Sequence, residues 1–200
     1  MDYDRIQESI IPHILAALKD RDFNWDSVKV AAESAGADYG LVRLAFKDSL
    51  DVVLETLATH LNDQVTCVVE KEDLSSLRTH EKIRRIIEVR FVVLEPHRHA
   101  LRSLAKWDLF LKHFLTGCRL LYETVNKIWY KAGDQSTDYN FYTKRFLLTA
   151  VYAPTFISWV QGEATLEDTM ALLDERMARV MKIPKIKNQI IQAIRGVLPF

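Results

Sequence analysis

Apolar residues recur at three- and four-residue steps along most of this chain. Ile6, Ile10, Ile14, Leu15 and Leu18 fall on one face of a first helix. The same spacing returns in Val52, Leu57 and Leu61, in Ile83, Ile86, Ile87, Val89 and Val93, and in Phe110, Phe114, Leu121, Val125 and Ile128. No segment alternates apolar and polar residues for long enough to argue for a strand. The helical pattern breaks at Asp20–Asp26, Ala35–Asp38, Glu95–His97, Ala132–Ser136, Gln161–Thr165 and Ile183–Pro184. Thr165-Leu-Glu-Asp168 reads as a capping box, in which a Thr side chain takes a free backbone N–H and an acidic residue three positions on answers it. The pattern predicts an all-α chain of about nine or ten helices with no internal repeat.

Composition narrows the class. Two hundred residues, 48% apolar and 27% charged, describe an ordinary globular chain. Such a chain buries roughly 70% of its unfolded surface and needs no staple. Cys67 and Cys118 are too few for a disulfide framework and lack metal-ligand spacing, so a reducing compartment is expected. No apolar run approaches the ~20 residues that span a bilayer. The opening Met1-Asp-Tyr-Asp-Arg5 is too acidic for a signal or transit peptide. The zero net charge hides a segregation: residues 1–73 carry 7 basic and 15 acidic side chains, a net of −8, whereas from Arg176 onward there are six basic and no acidic residues. Blocks of one sign mark either a partner surface or a solvated face.

The stretch from Val30 to Phe46 resembles the helix-turn-helix of TetR-type repressors. Ala35-Gly36 supplies the turn, where Gly36 suits a positive φ, and Phe46 the closing aromatic. DNA binding is not expected of it. Phosphate neutralisation needs Lys and Arg, and the candidate recognition helix offers only Arg43 and nearby Lys47 against Asp38 and Asp48. The expected role is architectural.

Residues 129–145, Trp-Tyr-Lys-Ala-Gly-Asp-Gln-Ser-Thr-Asp-Tyr-Asn-Phe-Tyr-Thr-Lys-Arg, carry the most distinctive motif. Downstream come Val151-Tyr152, Thr155, Trp159, Glu167-Asp168-Thr169 and Leu173-Asp-Glu-Arg176. Together they resemble the ninth Coq protein family, the lipid-binding accessory proteins of ubiquinone (coenzyme Q) biosynthesis. Phe141 stands where that family usually carries Trp. The resemblance implies a TetR-like, all-helical fold that binds a polyprenylated quinone precursor and contacts the demethoxyubiquinone hydroxylase through the Asp-x-Asn-x-Tyr stretch. It implies domains at 1–48 (helix-turn-helix-like), 49–182 (lipid-binding) and 183–200 (amphipathic helix), a homodimer, and no cofactor. The alternative is a TetR-type transcriptional regulator sensing an apolar ligand.

Asp138, Phe141, Tyr142 and Arg145 share a helical face, and with Asn140 they form the candidate partner surface; Phe141 and Tyr142 could equally be core. For the lipid, a helix from Trp107 to Tyr130 offers Phe110, Leu111, Phe114, Leu115 and Cys118, and the next offers Leu147, Val151, Phe156 and Trp159. These helices are apolar around too much of their circumference for one stripe, so they are either central to a packed core or line a cavity, with Pro154 a possible kink.

The tail from Pro184 sets Ile186, Ile190, Ile194 and Val197, with Ile191 at the edge, opposite Lys187 and Arg195, with Lys185 beside its start. A basic, acid-free amphipathic helix suits an anionic membrane surface, or it docks on the protein itself or a dimer mate. The expected location is cytoplasmic, peripheral at a bacterial inner membrane, or the matrix side of the mitochondrial inner membrane if the chain is eukaryotic and processed. No Glu-x-x-His pair, phosphate loop or nucleophile elbow occurs, and Glu95-Pro-His-Arg-His99 is the only histidine cluster. A non-enzyme is expected, with no metal.

Overall fold

The computed structural model describes residues 3–108, 113–137 and 139–180. Within them the chain is all-α, and no strand occurs among the described residues. The elements are α1 (Tyr3–Ala17), α2 (Trp25–Ser34), α3 (Tyr39–Ala45), α4 (Leu50–Val69), α5 (Thr79–Leu94), a 3₁₀ turn (Glu95–His97), α6 (Arg98–Asp108), α7 (Phe114–Lys131), α8 (Tyr139–Gln161) and a further helix, α9, over 166–180. They group into two compact units, Met1–Gln135 and Ser136–Phe200.

The first unit opens with three short helices folded on one apolar cluster. Ile10, Ile11, Ile14 and Leu15 of α1 are buried, as are Val28, Ala31 and Ala32 of α2 and Val42 of α3, with Phe46 just beyond it. Asn24 and Ser27 form a capping box at α2, and the Asp38 carboxylate accepts from the Leu41 N–H at 2.8 Å to start α3. Gly36 takes φ +66 in the turn, the conformation its type permits. The turn after α3 uses no glycine: Lys47 and Asp48 both adopt positive φ, 52 and 53. That break is invisible to a search for Gly and Pro.

α4 and α5 pack together through Val53, Leu57, Leu61, Ile83, Ile87 and Phe91. Arg85 closes the connection between them by gripping Glu72 through Nη2 at 2.7 Å and Nε at 2.9 Å. α7 lies on both helices with Thr124, Val125 and Ile128 turned inward. One expectation fails here. Trp107 to Tyr130 is not a single helix: His113 is a turn residue, and a new helix begins behind it at Phe114. Continuous apolar periodicity concealed the break, because neither Gly nor Pro marks it.

In the second unit α8 runs unbroken through Pro154. Gly162 follows where a Cβ would sit 2.8 Å from the Ser158 carbonyl oxygen, so the chain can turn there only without a side chain. Thr165 and Asp168 then form the predicted capping box. The Thr165 hydroxyl accepts from the Asp168 N–H at 3.1 Å, and the Asp168 carboxylate accepts from the Thr165 N–H at 3.1 Å. α9 returns to α8 through Arg176, whose Nη1 donates to the buried Thr155 hydroxyl at 2.9 Å.

The Thr165 donors hold the Asp168 carboxyl below the usual carboxylate range, the side-chain hydrogen bond contributing most. A depressed folded-state value stabilises the fold above the ordinary carboxylate pKa and is lost as pH falls through the folded value. Asp168→Asn is therefore expected to lower the urea midpoint at neutral pH, with the gap to the parent chain closing on acidification.

Candidate functional site

α7 is anchored along one side and apolar on another. The Thr116 hydroxyl donates to the Asp51 carboxylate at 2.9 Å, and the same oxygen lies 3.3 Å from His113 Nδ1. Arg119 pairs with Glu55, Lys127 Nζ with Asp63 at 3.1 Å, and Lys131 with Glu70. The partners advance in the same direction along both helices, so α4 and α7 run parallel. Phe114, Leu115, Cys118 and Tyr122 occupy another face of α7, at three- and four-residue spacing. Phe114 is 56% exposed, Leu115 81% and Tyr122 45%, and Cys118 is also exposed.

α8 repeats the arrangement in the second unit. Tyr142, Phe146 and Ile157 are exposed and share a face with Ala150 and Ala153. Its inward side carries Leu148, Val151, Tyr152, Thr155 and Trp159. The Phe156 ring stacks on Tyr152 with centroids 5.8 Å apart and meets Trp159 at 5.7 Å.

The candidate residues therefore scatter. Of the proposed lipid contacts, Phe114, Leu115 and Cys118 are exposed, Leu147 and Phe156 half-buried, and Val151 and Trp159 buried; Phe110 and Leu111 lie outside the described residues. Of the proposed partner surface, Asn140 and Tyr142 are exposed and Phe141 half-buried, with its ring edge-on to Tyr142 at 5.1 Å. Arg145 is turned inward, 3% exposed, with its guanidinium 3.3 Å above the Phe141 ring centroid and Nη1 donating to the Phe141 carbonyl. Asp138 and the tail residues Lys185 to Val197 lie outside the described residues.

A recess in the first unit, lined by Asn62, Val65, Ile86, Arg90, Thr124 and Lys127, measures about 20 Å³. A small-molecule pocket takes roughly 300–1,000 Å³, so this recess is not a lipid site. The sequence reading missed its central contact, Arg90 Nη1 donating to Asn62 Oδ1 at 2.5 Å, which joins residues too far apart for any local motif to mark.

Among the first three helices, Arg43 Nε donates to Asp48 at 2.6 Å, and its guanidinium lies 4.8 Å from the Trp25 ring centroid. The one cation on the candidate recognition helix is thus engaged by a carboxylate. At the histidine cluster, burial pushes the His97 imidazole down, with His60 and Lys19 adding to the effect. No group of three metal-ligating side chains forms among the described residues. No helix among them is long and apolar enough to cross a membrane.

An all-helical chain with three short helices at its head and two later helices presenting apolar faces is the class these features define. The COQ9 family model matches residues 114–184, a segment that begins at the first residue of α7. The similarity extends beyond that segment. The human mitochondrial ubiquinone biosynthesis protein COQ9 is 27% identical over 94% of this chain, and COQ9-A of Xenopus laevis is 27% identical over 98%. The rat protein is 26% identical over 94%. The chain spans 61%, 64% and 62% of the lengths of these three relatives.

Proposed function

We propose that this chain is a non-catalytic accessory protein of ubiquinone biosynthesis, which binds a polyprenylated quinone intermediate at a membrane and presents it to the demethoxyubiquinone hydroxylase. The observation that carries the reading is the match of the COQ9 family model to 114–184, which covers both helices that display exposed aromatic faces. In this reading Phe110, Leu111, Phe114, Leu115 and Cys118, with Leu147, Val151, Phe156 and Trp159 of α8, contact the isoprenoid chain. Asp138, Asn140, Phe141 and Tyr142 meet the hydroxylase, and Arg145 holds Phe141 in place for that contact. The tail from Lys185 to Val197 rests on anionic headgroups, and the protein works as a homodimer at the inner membrane. The TetR-like scaffold serves as architecture: the ion pair of Arg43 with Asp48 leaves α3 poorly suited to phosphate.

Native mass spectrometry of the purified chain is expected to show a co-purified isoprenoid quinone. A ligand-free protein that is also not retained on anionic liposomes would overturn the reading. Tyr142 is 68% exposed, so Tyr142→Ala is expected to leave folding and lipid content unchanged. Its association with the hydroxylase should weaken by roughly tenfold or more, the loss expected of an aromatic interface anchor; a pull-down titration measures it.

A further inference from the structure

We propose that the recess between α4, α5 and α7 is a binding site for a small monovalent anion of chloride size, held by Asn62, Thr66 and Thr124. The inference goes beyond the proposed function and does not depend on a lipid. The space measures about 20 Å³, room for about one water-sized body. Phosphate and sulfate are too large for it. The donors come from two helices. Asn62 is 5% exposed and Thr124 6%, and both line the recess, as does the half-buried Thr66 one turn along α4. The Asn62 carboxamide oxygen is taken by Arg90 Nη1, which leaves its NH2 as the end to be satisfied. That NH2 and the Thr66 and Thr124 hydroxyls make no hydrogen bond to any described residue. A buried donor left unanswered costs stability, so the site is suited to receive an acceptor.

Charge favours an anion over a water. Arg90, Lys127 and Lys131 also line the recess, and no Asp or Glu does. The carboxylates that pair with the two lysines, Asp63 and Glu70, are exposed residues of α4 outside that lining. An ion here meets cationic groups and hydrogen-bond donors together, partly withdrawn from water, where their attraction is strongest. A water would satisfy the donors but leave the positive potential unanswered. Lys127 is exposed, so the ion reaches the recess from solvent beside it. Thr124 and Ile128 belong to the inward side of α7, so a bound anion ties that helix to α4 and α5.

The test uses the full chain dialysed into sodium gluconate, with chloride replacing gluconate at constant ionic strength. The melting temperature is expected to rise saturably by about 3 °C, because the ion binds the folded chain and not the unfolded one. The chloride NMR resonance should broaden in the presence of the protein, and bromide should compete the broadening away. Thr124→Val keeps the shape and removes one donor, so it should weaken chloride binding roughly tenfold with the circular dichroism unchanged. Asn62→Asp can still accept from Arg90 and sets a carboxylate oxygen against the ion, so it should abolish the response. A chain whose melting temperature ignores chloride, with no excess broadening, holds water there and overturns the inference. Broadening that persists undiminished in both variants assigns the ion to surface lysines and overturns it equally.

Discussion

Trp159→Ala is expected to destabilise the chain by roughly 3–5 kcal/mol, the range for truncating a fully buried Trp. Trp159 is among the largest side chains with no exposed surface, and its ring leans on Phe156, which in turn stacks on Tyr152. Removing it forfeits the burial of the largest side-chain surface and unseats a neighbour whose geometry depends on it. The second unit has few other residues to compensate: Leu148, Val151, Val160, Met170 and Leu173 are the remaining buried aliphatic and Met side chains among its described residues. Urea unfolding followed by far-ultraviolet circular dichroism measures the loss, and Trp159→Phe should recover part of it. A change below about 1 kcal/mol would mean that the region collapses around the vacancy, contrary to the usual behaviour of close-packed interiors.

Arg145→Ala should cost roughly 3 kcal/mol, for a different reason. An arginine only 3% exposed as a residue has lost nearly all its hydration, and only contacts with its surroundings justify a charge there. One of those contacts is the face of Phe141 and another the Phe141 carbonyl. Taking the side chain away strands the groups it satisfied and frees the Phe141 ring beside Tyr142. Arg145→Lys is the informative companion. An ammonium keeps the charge but cannot lie flat on a ring, so Lys should restore only part of the stability. If Lys restored all of it, charge alone and not the planar stack would explain the burial. Both variants should also weaken the hydroxylase contact proposed for Tyr142, through displacement of Phe141.

The same residue shows how far a linear reading reaches. Helical spacing places Arg145 beside Phe141 and Tyr142, and the three do lie close together, but spacing has no sign for inward or outward. Tyr142 emerges and Arg145 does not, because a stacked guanidinium can be buried where four-residue spacing alone suggests a surface pair. Local chemistry was legible where it is short-range. Thr165 with Asp168 is a two-residue exchange of hydrogen bonds, and Gly36 supplies its own positive φ. The turn at Lys47 and Asp48 was illegible because Lys does not favour a left-handed backbone and Asp adopts one only occasionally. Hydrogen bonds among Leu44, Arg43, Phe46 and the following N–H groups hold it, and those depend on the folded chain. Phe146 shows another limit: apolar spacing in an apolar helix does not tell an outward residue from an inward one, and Phe146 is 73% exposed. Its position on the Tyr142–Ile157 face becomes apparent only when one side of α8 is covered.

The parallel pairing of α4 with α7 has a kinetic consequence. The hydrogen bonds that join them link residues 65, 64 and 61 positions apart at Thr116, Lys127 and Lys131. Two parallel helices cannot meet by a short hairpin, so α5 and α6 must first be gathered to carry the chain back to its starting end. Closing so large a loop is entropically costly and slows assembly. During synthesis α4 therefore leaves the ribosome with its row of carboxylates unanswered, and waits for cations that are translated some sixty codons later.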